Sequence, residues 1–312
     1  MLPLRSYYGR RILGFRAFAS FSSEAETAEA SCGVRDGHGD VVVINMNDKR
    51  IKPKVEQIYK CQRPVLFKHL AKDWPAMKWL RDLDGLRKRL NLSDENDIVV
   101  PLEIGPGSYM SEDRDFQKIH VGLSSLFDTL EIEMEMDACW DGKGKRGLQW
   151  YLAQIELKEL SPILLEDIDT HPAICKTGQG DLYRSQLWLN GASGNFSECH
   201  YDPFNNLLCQ LYGEKTVTLY DCPEPSDAMY PAKDTVQKNT SAIPFGALLR
   251  EADDQGQMEV DRNAFPLFYD TSKKTQYGPI TLKPGDAIFI PFKYWHFIHS
   301  PSVSLSVNHW WL

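Results

Sequence analysis

From Leu182 onward this 312-residue chain is written in short β-type runs broken by turn residues, a texture that few folds accommodate. The clearest runs are 186–189, 207–211, 215–220, 279–282, 287–290 and 303–310. Gly213, Pro284-Gly285 and Pro291 punctuate them. Many short strands at close spacing, after a half of mixed helical and strand character, predict a jelly-roll or barrel carrying helical decoration. Residues 223–278 form a long excursion containing Pro and Asp, which such a barrel places between two strands at its mouth.

The first half supplies the decoration. Residues 41–44, 63–68, 98–104 and 149–154 read as strands, and 54–59 as a short helix. Asp73 is a candidate N-cap ahead of Pro75, which is tolerated in a first helical turn. Residues 80–90 read as an amphipathic helix. Residues 120–136 read as a second, with Leu123, Leu126, Leu130 and Met134 on one face. Gly105-Pro-Gly107 is a turn, and 160–168 an acidic helix or turn. The Lys- and Gly-rich stretch 142–147 lacks the residue order and the strand–helix context of a phosphate-binding loop.

Chemistry gathers around His200-Tyr-Asp202. In an extended segment side chains alternate, so His200 and Asp202 project to one face. An imidazole and a carboxylate there make two thirds of the two-histidine, one-carboxylate set that suits non-haem iron. The triplet alone arises readily by chance, so the reading requires a third ligand. His296 is the candidate: Pro284-Gly285 turns the chain, 287–290 is an apolar strand ended by Pro291, and His296 opens the returning strand. His299 competes, but three residues along a strand puts it on the opposite face. Cys199 is aimed away by the same alternation, which leaves three ligands with open positions rather than a closed four-ligand zinc site. An iron oxygenase of this kind also needs a cation for 2-oxoglutarate, and Lys215 is placed to serve. Residues 206–220 read as a hairpin turning at Gly213. A two-residue turn puts Asn206 and Lys215 on one face, whereas a three-residue loop separates them.

Composition narrows the setting. The seven cysteines are odd in number and contain no Cys-x-x-Cys pair, which predicts reduced thiols in an intracellular compartment. No run of eighteen apolar residues occurs, so no transmembrane helix is predicted. The first 23 residues carry Arg5, Arg10, Arg11 and Arg16 and no acid, the composition of a mitochondrial transit peptide; cytoplasm or nucleus is the alternative. Beyond them 31 of the 35 basic side chains remain against all 43 acidic ones, a net of −12. Such a body repels a nucleic-acid backbone, so basic protein segments are the more natural charged partners.

Several segments together are similar to the JmjC-domain 2-oxoglutarate oxygenases, the small hydroxylase type in particular, over nearly everything after the leader. They are Arg63-Pro-Val-Leu-Phe-Lys68, Asp73-Trp-Pro-Ala76, Val100-Pro-Leu-Glu-Ile104, Tyr151-Leu-Ala-Gln154, His200-x-Asp202, Gly213-x-Lys215, Tyr294-Trp-His296 and Ser306-Val-Asn-His-Trp-Trp311. The resemblance implies an α+β chain with a double-stranded β-helix (cupin, jelly-roll) core and N-terminal helical and strand decoration. Residues 1–23 are then a transit peptide, 24–39 a linker, 40–148 the N-terminal part of the catalytic fold and 149–312 the barrel. It implies Fe(II) on His200, Asp202 and His296. It implies 2-oxoglutarate held by Lys215 and the Ser197 hydroxyl, with the Tyr151 phenol on the same carboxylate and the Asn206 and Asn308 amides near the metal. The stretch 188–197 is one residue longer than in close relatives, which leaves a substrate contact by Trp188 open. The implied reaction hydroxylates a protein side chain, consumes O2 and converts 2-oxoglutarate to succinate and CO2. N-methyl demethylation and RNA-nucleoside hydroxylation use the same site. A non-catalytic cupin binding module is the competing class, signalled by loss of a ligand or of the lysine, and neither is lost here. Oligomeric state is left open.

Overall fold

The computed structural model describes residues 41–47, 62–93, 95–105, 117–138, 149–168, 181–192, 194–221, 226–232, 238–250 and 260–312. The leader, the linker, the helix expected at 54–59 and the loop at 142–147 lie outside them.

Two sheets carry the fold. In chain order the strands are β1 (Val42–Asn45), β2 (Val65–Lys68), β3 (Val99–Ile104), β4 (Gln117–Gly122), β5 (Trp150–Glu156), β6 (Leu182–Asn190) and β7 (Asn195–Tyr201). They continue with β8 (Asn205–Tyr212), β9 (Lys215–Tyr220), β10 (Gln276–Leu282), β11 (Ala287–Ile290), β12 (Trp295–Ser300) and β13 (Ser304–Trp311). The large sheet has nine strands in the order β1-β2-β11-β8-β13-β6-β5-β3-β4, and the small sheet four in the order β10-β9-β12-β7. The strands that precede residue 148 lie at the two ends of the large sheet, β1 and β2 at one and β3 and β4 at the other, with the later strands between them. All pairs are antiparallel except β1 with β2.

Strand alternation sorts side chains into layers. Leu208 and Ile288 of the large sheet meet Val217, Leu219 and Leu282 of the small one between the sheets. The outer face of the large sheet, with Leu187, Leu207, Val307 and Trp311, packs against α1 (Leu83–Arg89) and α2 (Leu123–Ala138). Each fully buried Leu or Phe there contributes about 1.5–3 kcal/mol. The outer face of the small sheet, with Phe196, Cys199, Trp295 and Phe297, is covered by Met229, Ile243, Phe245 and Phe268 of the excursion. The excursion thus lies between β9 and β10, as expected, and contributes α4 (Phe245–Arg250) and α5 (Pro266–Thr275). Between β5 and the large sheet's β6 runs the short helix α3 (Leu157–Leu160). No helix among the described residues is long and apolar enough to cross a membrane.

Three local expectations fail. Asp73 does not cap: the 3₁₀ turn Pro75–Lys78 starts at Trp74 without a side-chain cap, and the working cap is Asp82, whose carboxylate accepts from Gly85 N at 2.9 Å ahead of α1. His120 lies in β4 rather than in the helix, which begins at Leu123, because β4 pairs residue for residue with β3. Residues 206–220 are not a hairpin. Strand β8 is paired on both edges by β11 and β13, and β9 by β10 and β12, so the chain crosses between sheets at Gly213. Gly213 has φ +65°, and a Cβ there would collide with the Val303 carbonyl. Long-range pairing overrides the local turn signal.

Candidate metal centre

His200 on β7 and His296 on β12 are direct cross-strand partners, so their imidazoles share the inward face, with ring centroids 4.3 Å apart. Asp202 follows β7 immediately. Its Oδ1 lies 4.0 Å from His200 Nε2 and its Oδ2 3.7 Å from His296 Nε2. One ligand atom from each of the three lies within 4.8 Å of the others, and all three residues are buried.

The imidazoles are oriented from behind. His200 Nδ1 is 2.7 Å from the Glu198 carbonyl and His296 Nδ1 2.9 Å from that of Tyr294. A carbonyl only accepts, so each Nδ1 carries a proton, and each Nε2 is turned toward Asp202. Burial, helped by repulsion from His200, holds the His296 pKa well below its usual value, so the ring is neutral as a metal ligand requires. Burial also raises the Asp202 carboxyl pKa against the opposing pull of His200 and the Asn206 hydrogen bond. A buried carboxylate flanked by two imidazole Nε2 atoms is a strong attractor for a divalent cation.

Asp202 is fixed by a one-way relay. Trp188 Nε1 donates to Asn308 Oδ1 at 3.0 Å, Asn308 Nδ2 to Asn206 Oδ1 at 3.2 Å, and Asn206 Nδ2 to Asp202 Oδ2 at 3.2 Å. An indole can only donate and a carboxylate can only accept, so both amides have a single orientation. Asn206 and Asn308 thus lie in a hydrogen-bonded chain that ends on Asp202. Trp188 takes a positioning role that sequence reasoning missed. Its signal was the β6–β13 register, which places Asn308 one inward step from Ser306, the partner of Trp188. That register is invisible in a linear sequence.

The other expected residues also converge. Ser197 and His200 are three positions apart, which regular alternation would send to opposite faces. A register shift on β7 between Ser197 and His200, opposite Ile298 and His296, brings both inward. The Tyr151 phenol is hydrogen-bonded to Ser197, and its pKa is raised first by burial and then by Glu103. Lys215 Nζ lies over the Tyr151 ring, 5.7 Å from its centroid. The two facing sheets, rather than a shared hairpin face, bring Lys215 to Tyr151. Lys215 is 1% exposed, no carboxylate among the described residues pairs with it, and burial lowers its pKa from 10.5 to about 7. A buried amine over the Tyr151 ring that no carboxylate among the described residues neutralises suits the carboxylate of a dianionic ligand. His299 faces away from the centre, its pKa lowered to about 4 by burial, and Cys199 packs in the outer layer. The apolar cavity bounded by Trp79, Leu86, Phe127 and Leu305 lies on the far side of the large sheet and offers packing rather than chemistry.

Comparison with known proteins agrees with this geometry. A family model described as a cupin-like domain matches residues 52–312. Jumonji C domain-containing protein 5 of Drosophila melanogaster is 32% identical over 257 residues, covering 81% of this chain and 55% of the relative. Lysine-specific demethylase 8 of Danio rerio is 30% identical over 260 residues, covering 80% and 53%. JmjC domain-containing protein D of Dictyostelium discoideum is 31% identical over 255 residues, covering 78% and 50%. The chain spans about half the length of the curated relatives it matches.

Proposed function

We propose, since this chain belongs to the JmjC family of cupin-like oxygenases, that it is a dioxygenase hydroxylating a side chain of a protein substrate. The family's metal is Fe(II), and its cosubstrates are 2-oxoglutarate and O2. One observation carries the reading: the open-sided His200–Asp202–His296 set and the buried Lys215, which no carboxylate among the described residues neutralises, lie on the same inward face of the small sheet. A non-oxidative metal cupin has no need of that lysine, and a binding module needs neither.

Iron and 2-oxoglutarate, when bound, supply the oxidation: O2 and the keto acid yield succinate, CO2 and one oxygen atom placed on a substrate carbon. The chain's own residues bind and orient. Lys215 holds a carboxylate of the cosubstrate, with the Ser197 and Tyr151 hydroxyls as further donors. The Trp188–Asn308–Asn206 relay prevents Asp202 from rotating. Val217, Leu219 and Ile298 line the inward face of the small sheet with apolar surface. No side chain is required as acid or base.

The acidic balance beyond residue 23 supports a basic protein segment as substrate and disfavours RNA. A second reading, N-methyl demethylation, is favoured by the relatives named lysine-specific demethylases. Anaerobic loading with Fe(II) and 2-oxoglutarate, then O2 and a pool of basic peptides, separates the two. Hydroxylation gives peptides heavier by one oxygen atom with succinate; demethylation gives formaldehyde; no peptide product of either kind defeats both. The arginine-rich, acid-free leader supports import into the mitochondrial matrix. A fusion of residues 1–30 to a fluorescent reporter that stays in the cytosol defeats that assignment.

A further inference from the structure

Strand β7 ends the small sheet, and its outer edge is taken by the excursion. Tyr201 N donates to the Asn239 carbonyl at 3.0 Å and Ser241 N to that of Cys199 at 2.8 Å, making His200 and Thr240 an isolated antiparallel bridge. Bonds on either side of the pair and none within it define the close kind of antiparallel pair, with Cα atoms about 4.5 Å apart and side chains on one face. Leu219, His296, His200 and Thr240 thus form one row across the inward face. Thr240 flanks His200 on the side away from His296.

The segment is pinned from behind as well. Ala232 N donates to the Thr240 carbonyl and Ala242 N to that of Tyr230, both at 2.8 Å, and Ser241 Oγ to that of Met229 at 2.6 Å. Asn239 Nδ2 donates to the Tyr201 carbonyl at 2.8 Å. Thr240 is therefore held as firmly as a strand residue. It is 6% exposed, yet its Oγ1 has no hydrogen-bond partner among the described residues. A buried hydroxyl left without a partner destabilises the free protein and is uncommon for that reason. The imidazoles beside it have their Nδ1 atoms committed to backbone carbonyls. The Thr240 hydroxyl is uncommitted, and it lies next to a ligand of the metal centre.

We infer that Thr240 is a specificity residue of this centre, its hydroxyl receiving a polar group on the side chain presented for oxidation. The inference rests on the oxygenase reading above and adds the class of side chain selected. A hydroxyl both donates and accepts, so it separates polar from apolar side chains of equal shape rather than one polar group from another.

The test uses the full chain with Fe(II), 2-oxoglutarate and O2. Its substrates are basic peptides whose central guest residue is varied in isosteric pairs: Thr against Val, Asn against Leu, Gln against Met. Oxygenated product is counted by mass for each guest, and the polar-to-apolar ratio is the readout. Thr240→Val keeps shape and strand preference and removes the hydroxyl; Thr240→Ser restores it. The ratio is expected to fall about tenfold in Thr240→Val and to return in Thr240→Ser. Thr240→Val is also expected to unfold at the same temperature as wild type or higher, because it removes an unpaired buried group. The absorption of Co(II) in the centre is expected to be unchanged, since the hydroxyl is not a ligand. An unchanged ratio in Thr240→Val overturns the inference, as does a ratio that changes together with the Co(II) spectrum, which places the effect on the metal. Succinate from the wild type with these outcomes fails the inference alone; no succinate from the wild type fails the oxygenase reading and the inference with it.

Discussion

Replacing Lys215 with Met should make the ligand-free protein more stable while removing its affinity for 2-oxoglutarate. Lys215 is 1% exposed, and burial lowers its pKa from 10.5 to about 7. Each pH unit of that gap corresponds to about 1.4 kcal/mol, so the buried ammonium costs up to about 5 kcal/mol below pH 7 and about 4 kcal/mol at pH 7 itself. Met fills similar space without charge, so Lys215→Met should gain part of that amount. Between pH 7 and 10.5 the unfolded wild-type chain holds the proton that the folded chain has lost, so wild-type stability rises with pH in that window. The advantage of the variant should therefore shrink by about 2 kcal/mol between pH 7 and pH 9. Urea denaturation of both proteins, without metal or 2-oxoglutarate, reads the two differences directly. Added 2-oxoglutarate should then stabilise the wild type and leave the variant unmoved. Calorimetry at pH 8 in buffers of differing ionisation enthalpy should show close to one proton taken up by the wild type per ligand bound. A variant less stable than wild type at pH 7, or a gap that is the same at pH 9, would refute the reasoning.

Other residues yield sharper, smaller tests. Asn206→Leu severs the relay at Asp202 Oδ2 and should weaken Co(II) or Fe(II) binding about 10- to 100-fold, measured by competition with a chromophoric chelator. Equal affinity would show that the relay does not hold the carboxylate. Trp188→Phe should act in the same direction and more weakly, because Asn308 loses the donor that fixes its orientation. Gly213→Ala should lower stability by at least about 1–2 kcal/mol in denaturant titrations, since φ is +65° and the new Cβ meets the Val303 carbonyl. An unchanged midpoint would mean that the crossing between sheets is not held at that glycine.

The metal set was legible in the sequence because each of its parts is local. His200 and Asp202 share a face through simple alternation, and His296 follows a turn and strand that Pro284-Gly285 and Pro291 delimit. Lys215 faces inward by a different route from the hairpin the sequence suggests. A turn at Gly213 predicts a hairpin, but β8 and β9 each spend both edges on strands distant in sequence, and only the facing of the two sheets brings the lysine to Tyr151. Ser197 was reachable only by resemblance, since alternation from His200 points it outward until the register shift on β7 reverses it. Trp188 and Thr240 were not legible as parts of the centre. One depends on the β6–β13 register, the other on an excursion returning to the edge of β7, and neither leaves a periodic trace.

The most direct measurement of the central claim is a single turnover. Wild-type protein and His296→Ala are loaded without oxygen with one equivalent of Fe(II) and excess 2-oxoglutarate, exposed to O2, and assayed for succinate by mass. If His200, Asp202 and His296 hold the iron beside the cosubstrate on Lys215, the wild type forms succinate in proportion to bound iron and His296→Ala forms none above the iron-only blank. Equal succinate from the two proteins would contradict it.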